Sequence, residues 1–135
     1  MNRRSLLKLA ALAGVSQLRF KAARAQEKAG PVVLYCDLAV DPKREQEMLS
    51  HFHRDFKPAA EKFEGYIDLK IVKIRTVIQG RPTPPPGVNY RFQLTFKSEE
   101  LRQRWISSSV HQAKWPLIEN TVLNKDYLVL LTDSM

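Results

Sequence analysis

Along residues 32–131 the apolar residues switch between two spacings in a fixed order. From Val32 to Val40 they alternate, with Val32, Leu34, Cys36, Leu38 and Val40 on one face, which marks a strand. Asp41 and Pro42 punctuate next, Asp41 suited to cap a helix and Pro42 to be its first residue. From Glu45 to Phe63 the spacing becomes threes and fours. Met48, Leu49, Phe52, Phe56, Ala59, Ala60 and Phe63 form the apolar face of an amphipathic helix. Pro58 predicts a kink or break within it, and Glu64 with Gly65 predicts its end. Alternation returns from Tyr66 to Thr76, where Ile67, Leu69 and Ile71 oppose Asp68 and Lys70. It returns most regularly from Asn89 to Lys97: Tyr90, Phe92, Leu94 and Phe96 point one way, Arg91, Gln93 and Thr95 the other. The proline-rich stretch Gly80 to Gly87 between them reads as a stiff, extended connector of polyproline character.

A second helix starts at Ser98, a hydroxyl cap followed by Glu99 and Glu100 at the positive end of the helix dipole. Leu101 and Trp105 mark its buried face. Ser107, Ser108 and Ser109 interrupt it, and Ser109 to Gln112 fits a capping box, so a new helical turn is predicted to begin at Ser109. Pro116 argues against a long straight helix beyond. Tyr127 to Leu131 is apolar on both faces, which predicts a strand buried on both. The order is β-α-β-β-α-β, the ferredoxin-like α+β arrangement. Helices on one face of such a sheet leave the other bare, and a second copy of the chain is the economical cover for so small a core. The expectation is therefore a homodimer.

The chain is read as a twin-arginine signal over residues 1–25, a flexible lead-in over 26–31 and one domain over 32–135. Arg3 and Arg4 form the paired-arginine region, followed by an apolar run from Leu9 to Val15. That run is too short to span ~30 Å of hydrocarbon, which needs roughly 20 residues. Ala23, Arg24 and Ala25 form a small-x-small cleavage site, which puts the cut between Ala25 and Gln26. The expectation is export to the periplasm or the medium through the twin-arginine machinery, with no stable membrane anchor. The net charge of +8 shrinks accordingly. Of 22 Lys and Arg and 14 Asp and Glu, six basic and no acidic residues lie in the first 25, leaving 16 against 14. A nucleic-acid partner thereby loses its main support. Cys36 is the single cysteine, so no intrachain disulfide forms, and iron–sulfur or thiolate–zinc sites are disfavoured. Val33, Leu34 and Tyr35 before it make no lipidation signal.

Val40 to Pro42, Phe63 to Tyr66, and the segment from Trp105 to His111 resemble, in this element order, the antibiotic biosynthesis monooxygenase family over nearly all of residues 31–133. The resemblance implies a dimeric α+β barrel. It also implies a cofactor-independent monooxygenase acting on quinol-like or phenolic rings, with molecular oxygen as co-substrate. A small-ligand-binding module on the same fold is the alternative. Haem is the weaker cofactor reading, because the haem-degrading branch of the resemblance carries an Asn on the first strand and residues 32–40 hold none. On the resemblance, His111 is the candidate catalytic base, and Trp105, Trp115, Tyr35 and Tyr90 are candidate walls for a small aromatic molecule. The residues alone also admit His111 as a cap-region histidine and Trp105 as a core anchor. Asp37 lines a cavity or pairs with Arg91. His51 and His53 are two apart on a helix, about 200° around the axis, so they face apart and no metal site is expected.

Overall fold

The computed structural model describes residues 30–80 and 87–135. The signal expected over 1–25, its expected cleavage site, most of the lead-in and the middle of the proline-rich connector lie outside the described residues. The elements run β1 (Val32–Leu38), a 3₁₀ turn (Pro42–Arg44), α1 (Glu45–His51), a π-helical segment (Phe52–Phe56), α2 (Lys57–Glu61), β2 (Tyr66–Lys73), β3 (Tyr90–Phe96), α3 (Glu99–Ser107), α4 (Ser109–Glu119) and β4 (Leu128–Asp133). The strands form one sheet in the order β2-β3-β1-β4, with every pair antiparallel. The fold is ferredoxin-like α+β.

Register explains the core. Leu34 lies opposite Leu94, Cys36 opposite Phe92, and Leu38 opposite Tyr90, so the alternating rows of β1 and β3 share one face. The helices cover that face. Phe52 and Phe56 meet Phe92 edge-on, with ring centroids at 6.0 and 5.5 Å, and Trp105 stacks over Phe96. The row Tyr90, Phe92, Leu94 and Phe96 is thus buried within one chain, not by a partner.

The first helical run is not broken at Pro58 but continues without a gap from Glu45 to Glu61. Pro58 has no N–H to return to the Arg54 carbonyl. The ladder widens just before it, and the Lys57 N–H bonds to the Phe52 carbonyl, five residues back. The same wide turn keeps Met48, Phe52, Phe56 and Ala60 in one buried stripe. A repeat of four drifts by about 40° per step on an α-helix, and the wider turn counters that drift. Asp41 caps the entry as expected, its carboxylate accepting the Lys43 N–H at 2.9 Å. Gly65 ends the helical layer at φ +92°, where a Cβ would lie 2.6 Å from the Leu101 side chain, so a tight approach and a left-handed backbone both demand glycine.

Ser98 caps α3 by accepting the Leu101 N–H. The cap of α4 is Ser108 rather than Ser109: its backbone is extended and its hydroxyl accepts the His111 N–H. The serine run offers three equivalent hydroxyls, and only backbone geometry selects among them. α4 also continues through Pro116 to Glu119. The strand expected at Tyr66 to Thr76 stops at Lys73, and Val40 makes an isolated bridge to Val122 beyond the end of β1.

β4 departs most from expectation. It is an edge strand, and Leu128 to Leu131 are 44–51% exposed in the single chain, not buried on both faces. The sheet face away from the helices is open, and Asp37 and Arg91 pair across it at 2.8 and 3.1 Å. Among the described residues, no helix is long and apolar enough to cross a membrane.

Candidate functional site

Between the helical layer and the β1–β4 side of the sheet lies a cleft of about 150 Å³. Its floor is sheet: Leu34, Cys36, Phe92, Leu94 and Val129. Its wall is helix: Phe56, Arg102, Trp105, Ile106, His111 and Trp115, with Tyr127 closing one side.

Three of the residues singled out in the sequence converge here. The Trp105 and His111 rings meet edge-on at 5.2 Å. His111 and Trp115, four apart on α4, stack within 12° of parallel at 6.2 Å. Phe56 touches all three rings. Trp105 is both core anchor and cleft wall, being fully buried while bordering the cavity.

Two residues do not join them. Tyr35 alternates to the open face, where the Arg91 guanidinium sits 5.5 Å over its ring. Tyr90 is on the helix-covered face, but at the end of β3 that pairs with Leu38 and Lys73. There it lies against α1, and its hydroxyl donates to Glu45, which also accepts from Lys73. Alternation gives a face; it does not say which helix covers it.

Two polar residues of the cleft were not singled out in advance. Arg102 sits three before Trp105 on α3, a spacing that shares a helix face. Its side chain is 9% exposed and its Nε and Nη2 groups each donate to a Glu99 oxygen at 2.6 Å. Tyr127 accepts the Trp115 Nε1–H at 3.2 Å and donates to Glu119 at 2.6 Å. β4 follows it and pairs with β1, which carries this tyrosine beside Cys36.

Apart from the Arg102–Glu99 ion pair, the titratable groups of the cleft are held in their neutral forms. Burial first, and then the charge of Arg102, hold His111 below the ordinary histidine range. The imidazole is therefore neutral at pH 7, one nitrogen free to accept a proton. Burial and the bond to Glu119 push the Tyr127 phenol well above its usual range, so it stays protonated. Burial, with Asp37 and Glu119 adding to it, pushes the Cys36 thiol up to about 12, and it behaves as an apolar floor residue.

His51 pairs with Asp55 at 3.0 Å on the outer side of the first helix, and His53 lies edge-on to the Phe52 ring. Among the described residues, no three His, Cys, Asp or Glu side chains cluster as a metal site would require.

No known family profile matches the sequence, and no curated protein matches it either. Solved structures do match. A dimeric ferredoxin-like protein of unknown function from Jannaschia superposes with a TM-score of 0.65 at 14% identity, over 78% of this chain and 100% of that one. A Caulobacter crescentus protein, named for a proposed antibiotic biosynthesis monooxygenase activity, gives 0.62 at 12% identity, over 80% and 92%. SnoaB, a cofactor-independent oxygenase from Streptomyces nogalater, gives 0.61 at 10% identity, over 78% and 94%. At such identities the likeness is one of fold, and the chemistry must be argued from the cleft.

Proposed function

We propose that the cleft binds a small phenolic or quinol-like ring and that the protein acts on it as a monooxygenase needing no metal or flavin. The observation that carries this reading is a neutral His111 set between two indoles in a mainly apolar cleft. Neutral His111 accepts the ring hydroxyl's proton. The ring anion then passes an electron to molecular oxygen, and the protein's part is to position the ring, exclude water and take up the proton. The fold shared with a cofactor-independent oxygenase supports this reading.

The working assembly in this proposal is a homodimer with the open sheet faces opposed. The exposed Leu128 and Leu130 and the dimeric neighbour support it. Residues 1–25 serve as a cleaved twin-arginine signal, so the protein acts outside the cytoplasm.

The test is oxygen uptake with a panel of quinols and phenols. His111→Ala should lower turnover roughly 10²–10⁴-fold, the worth of a positioned base, with folding retained. Ring binding without oxygen uptake by any member of the panel would make the protein a ligand-binding module instead.

A further inference from the structure

Hydrogen-bonding capacity around the cleft is spent unevenly. Tyr127 gives its proton to Glu119 and takes the Trp115 N–H. Glu99 uses both oxygens on Arg102. A guanidinium carries five N–H groups, and Glu99 engages it through Nε and Nη2 alone, so three N–H groups remain on a side chain that is almost wholly buried. Trp105 Nε1 is buried and, among the described residues, has no hydrogen-bond partner. The hydrogen bond made at His111 comes from its backbone N–H, not its ring. The unspent groups of the cleft are thus mostly donors. On the acceptor side stand one lone pair of Tyr127 and one nitrogen of His111.

A buried donor without an acceptor is costly, and among the described residues Trp105 Nε1 is the one such side-chain atom, while the spare N–H groups of Arg102 border the cleft without being sealed in it. The occupant that relieves the imbalance brings acceptors, preferably ionised ones, on a body that suits apolar aromatic walls. The cavity's size sets the body: about 150 Å³ is the scale that takes one benzene-sized ring. We infer that the cleft takes a single aromatic ring bearing an oxyanion, carboxylate or phenolate, with Arg102 and Trp105 as the donors that hold it. Glu99 offsets much of the Arg102 charge, so the preference comes from hydrogen bonds to the anion and survives moderate salt. The inference rests on the cleft being the binding site proposed above, but not on the oxygenase chemistry.

Calorimetric titration of the folded protein in alkaline buffer tests it with matched pairs: benzoate against benzamide for the carboxylate arm, 4-nitrophenolate against 4-nitroanisole for the phenolate arm. At least one anion should bind roughly tenfold or more tighter than its neutral twin. Arg102→Met should erase that preference and leave the neutral twin's affinity in place. Should Arg102→Met alone fail to fold because the half-buried Glu99 loses its charged partner, the pair Glu99→Gln with Arg102→Met gives the same readout. Neutral twins that match or outbind both anions would overturn the inference, as would an anion preference that persists without Arg102 or failure of all four probes to bind. The two readings fail separately. Anion preference without oxygen uptake removes the monooxygenase alone. Oxygen uptake with no anion preference removes this inference alone.

Discussion

Ser108 ties Trp105 to His111: its hydroxyl donates to the Trp105 carbonyl at 2.6 Å and accepts the His111 backbone N–H at 3.2 Å. On one unbroken helix these two residues, six apart, would sit about 240° around the axis. The extended backbone at Ser108 (φ −69°, ψ 148°) closes α3 and restarts the chain as α4 in a new direction. The two rings meet because of that turn.

Ser108→Ala should therefore cost about 1 kcal/mol of stability, the usual worth of an N-cap. It should also weaken aromatic binding, because the Trp105–His111 contact loosens. Ser109→Ala, at the exposed first position of α4, should stay within about 0.5 kcal/mol of the parent. Urea unfolding of both variants makes the comparison, and equal losses would move the cap back to Ser109.

His111 should make the protein acid-sensitive in a defined window. Its folded pKa lies below the ordinary 6.5 because of burial and then Arg102. The unfolded chain thus binds a proton first as pH falls. The stability held above 6.5 should decline from there down through the depressed folded value. His111→Gln should flatten that part of the stability curve relative to the parent, measured by urea unfolding across the range. NMR titration of the His111 ring should give a midpoint under 6.5; one above it would reverse the sign.

Leu130→Asp should yield a monomer. Leu130 pairs with Tyr35 in the sheet and is 44% exposed, pointing away from the helices. A charge there leaves the helix-covered core untouched while making a face-to-face sheet contact costly. Light scattering reads the mass. A parent protein that is already monomeric at micromolar concentration would remove the dimer.

Processing should leave Gln26 at the N-terminus, and export should stop when Arg3 and Arg4 are both changed to Lys. Intact-mass measurement of the exported protein locates the cut. Normal export of the double variant would dismiss the twin-arginine reading.

The alternation of Tyr90 to Phe96 and the fours of Met48 to Ala60 were legible because each reports burial within one element. The Trp105–His111 meeting was legible only through the serine interruption. What escaped depends on partners remote in the chain. Arg102 and Tyr127 become cleft residues through helix-on-sheet packing and the β1–β4 pairing, which no local spacing records. Tyr35 and Tyr90 were misplaced for the same reason. The exposure of β4 is a matter of sheet order: its composition is that of a central strand, and its position is an edge. The wide turn before Pro58 escaped because a proline predicts disruption of the ladder but not the form its repair takes.

The sheet order also sets when the fold can form. Among the described residues β1 is the first strand made, and it lies between β3 and β4. Val33 finds its neighbour Thr132 only across almost the whole chain; the Thr132 hydroxyl donates to the Val33 carbonyl at 2.9 Å. Such distant pairing is slow to close. While the nascent chain is shorter than Asp133, one edge of β1 has no strand beside it, and the Leu34 and Cys36 floor is open to any passing strand. Completing the sheet therefore transfers the unpaired edge from β1 to β4, so the strand that waits longest for its partner ends in the middle of the sheet and the last strand made stays at its edge.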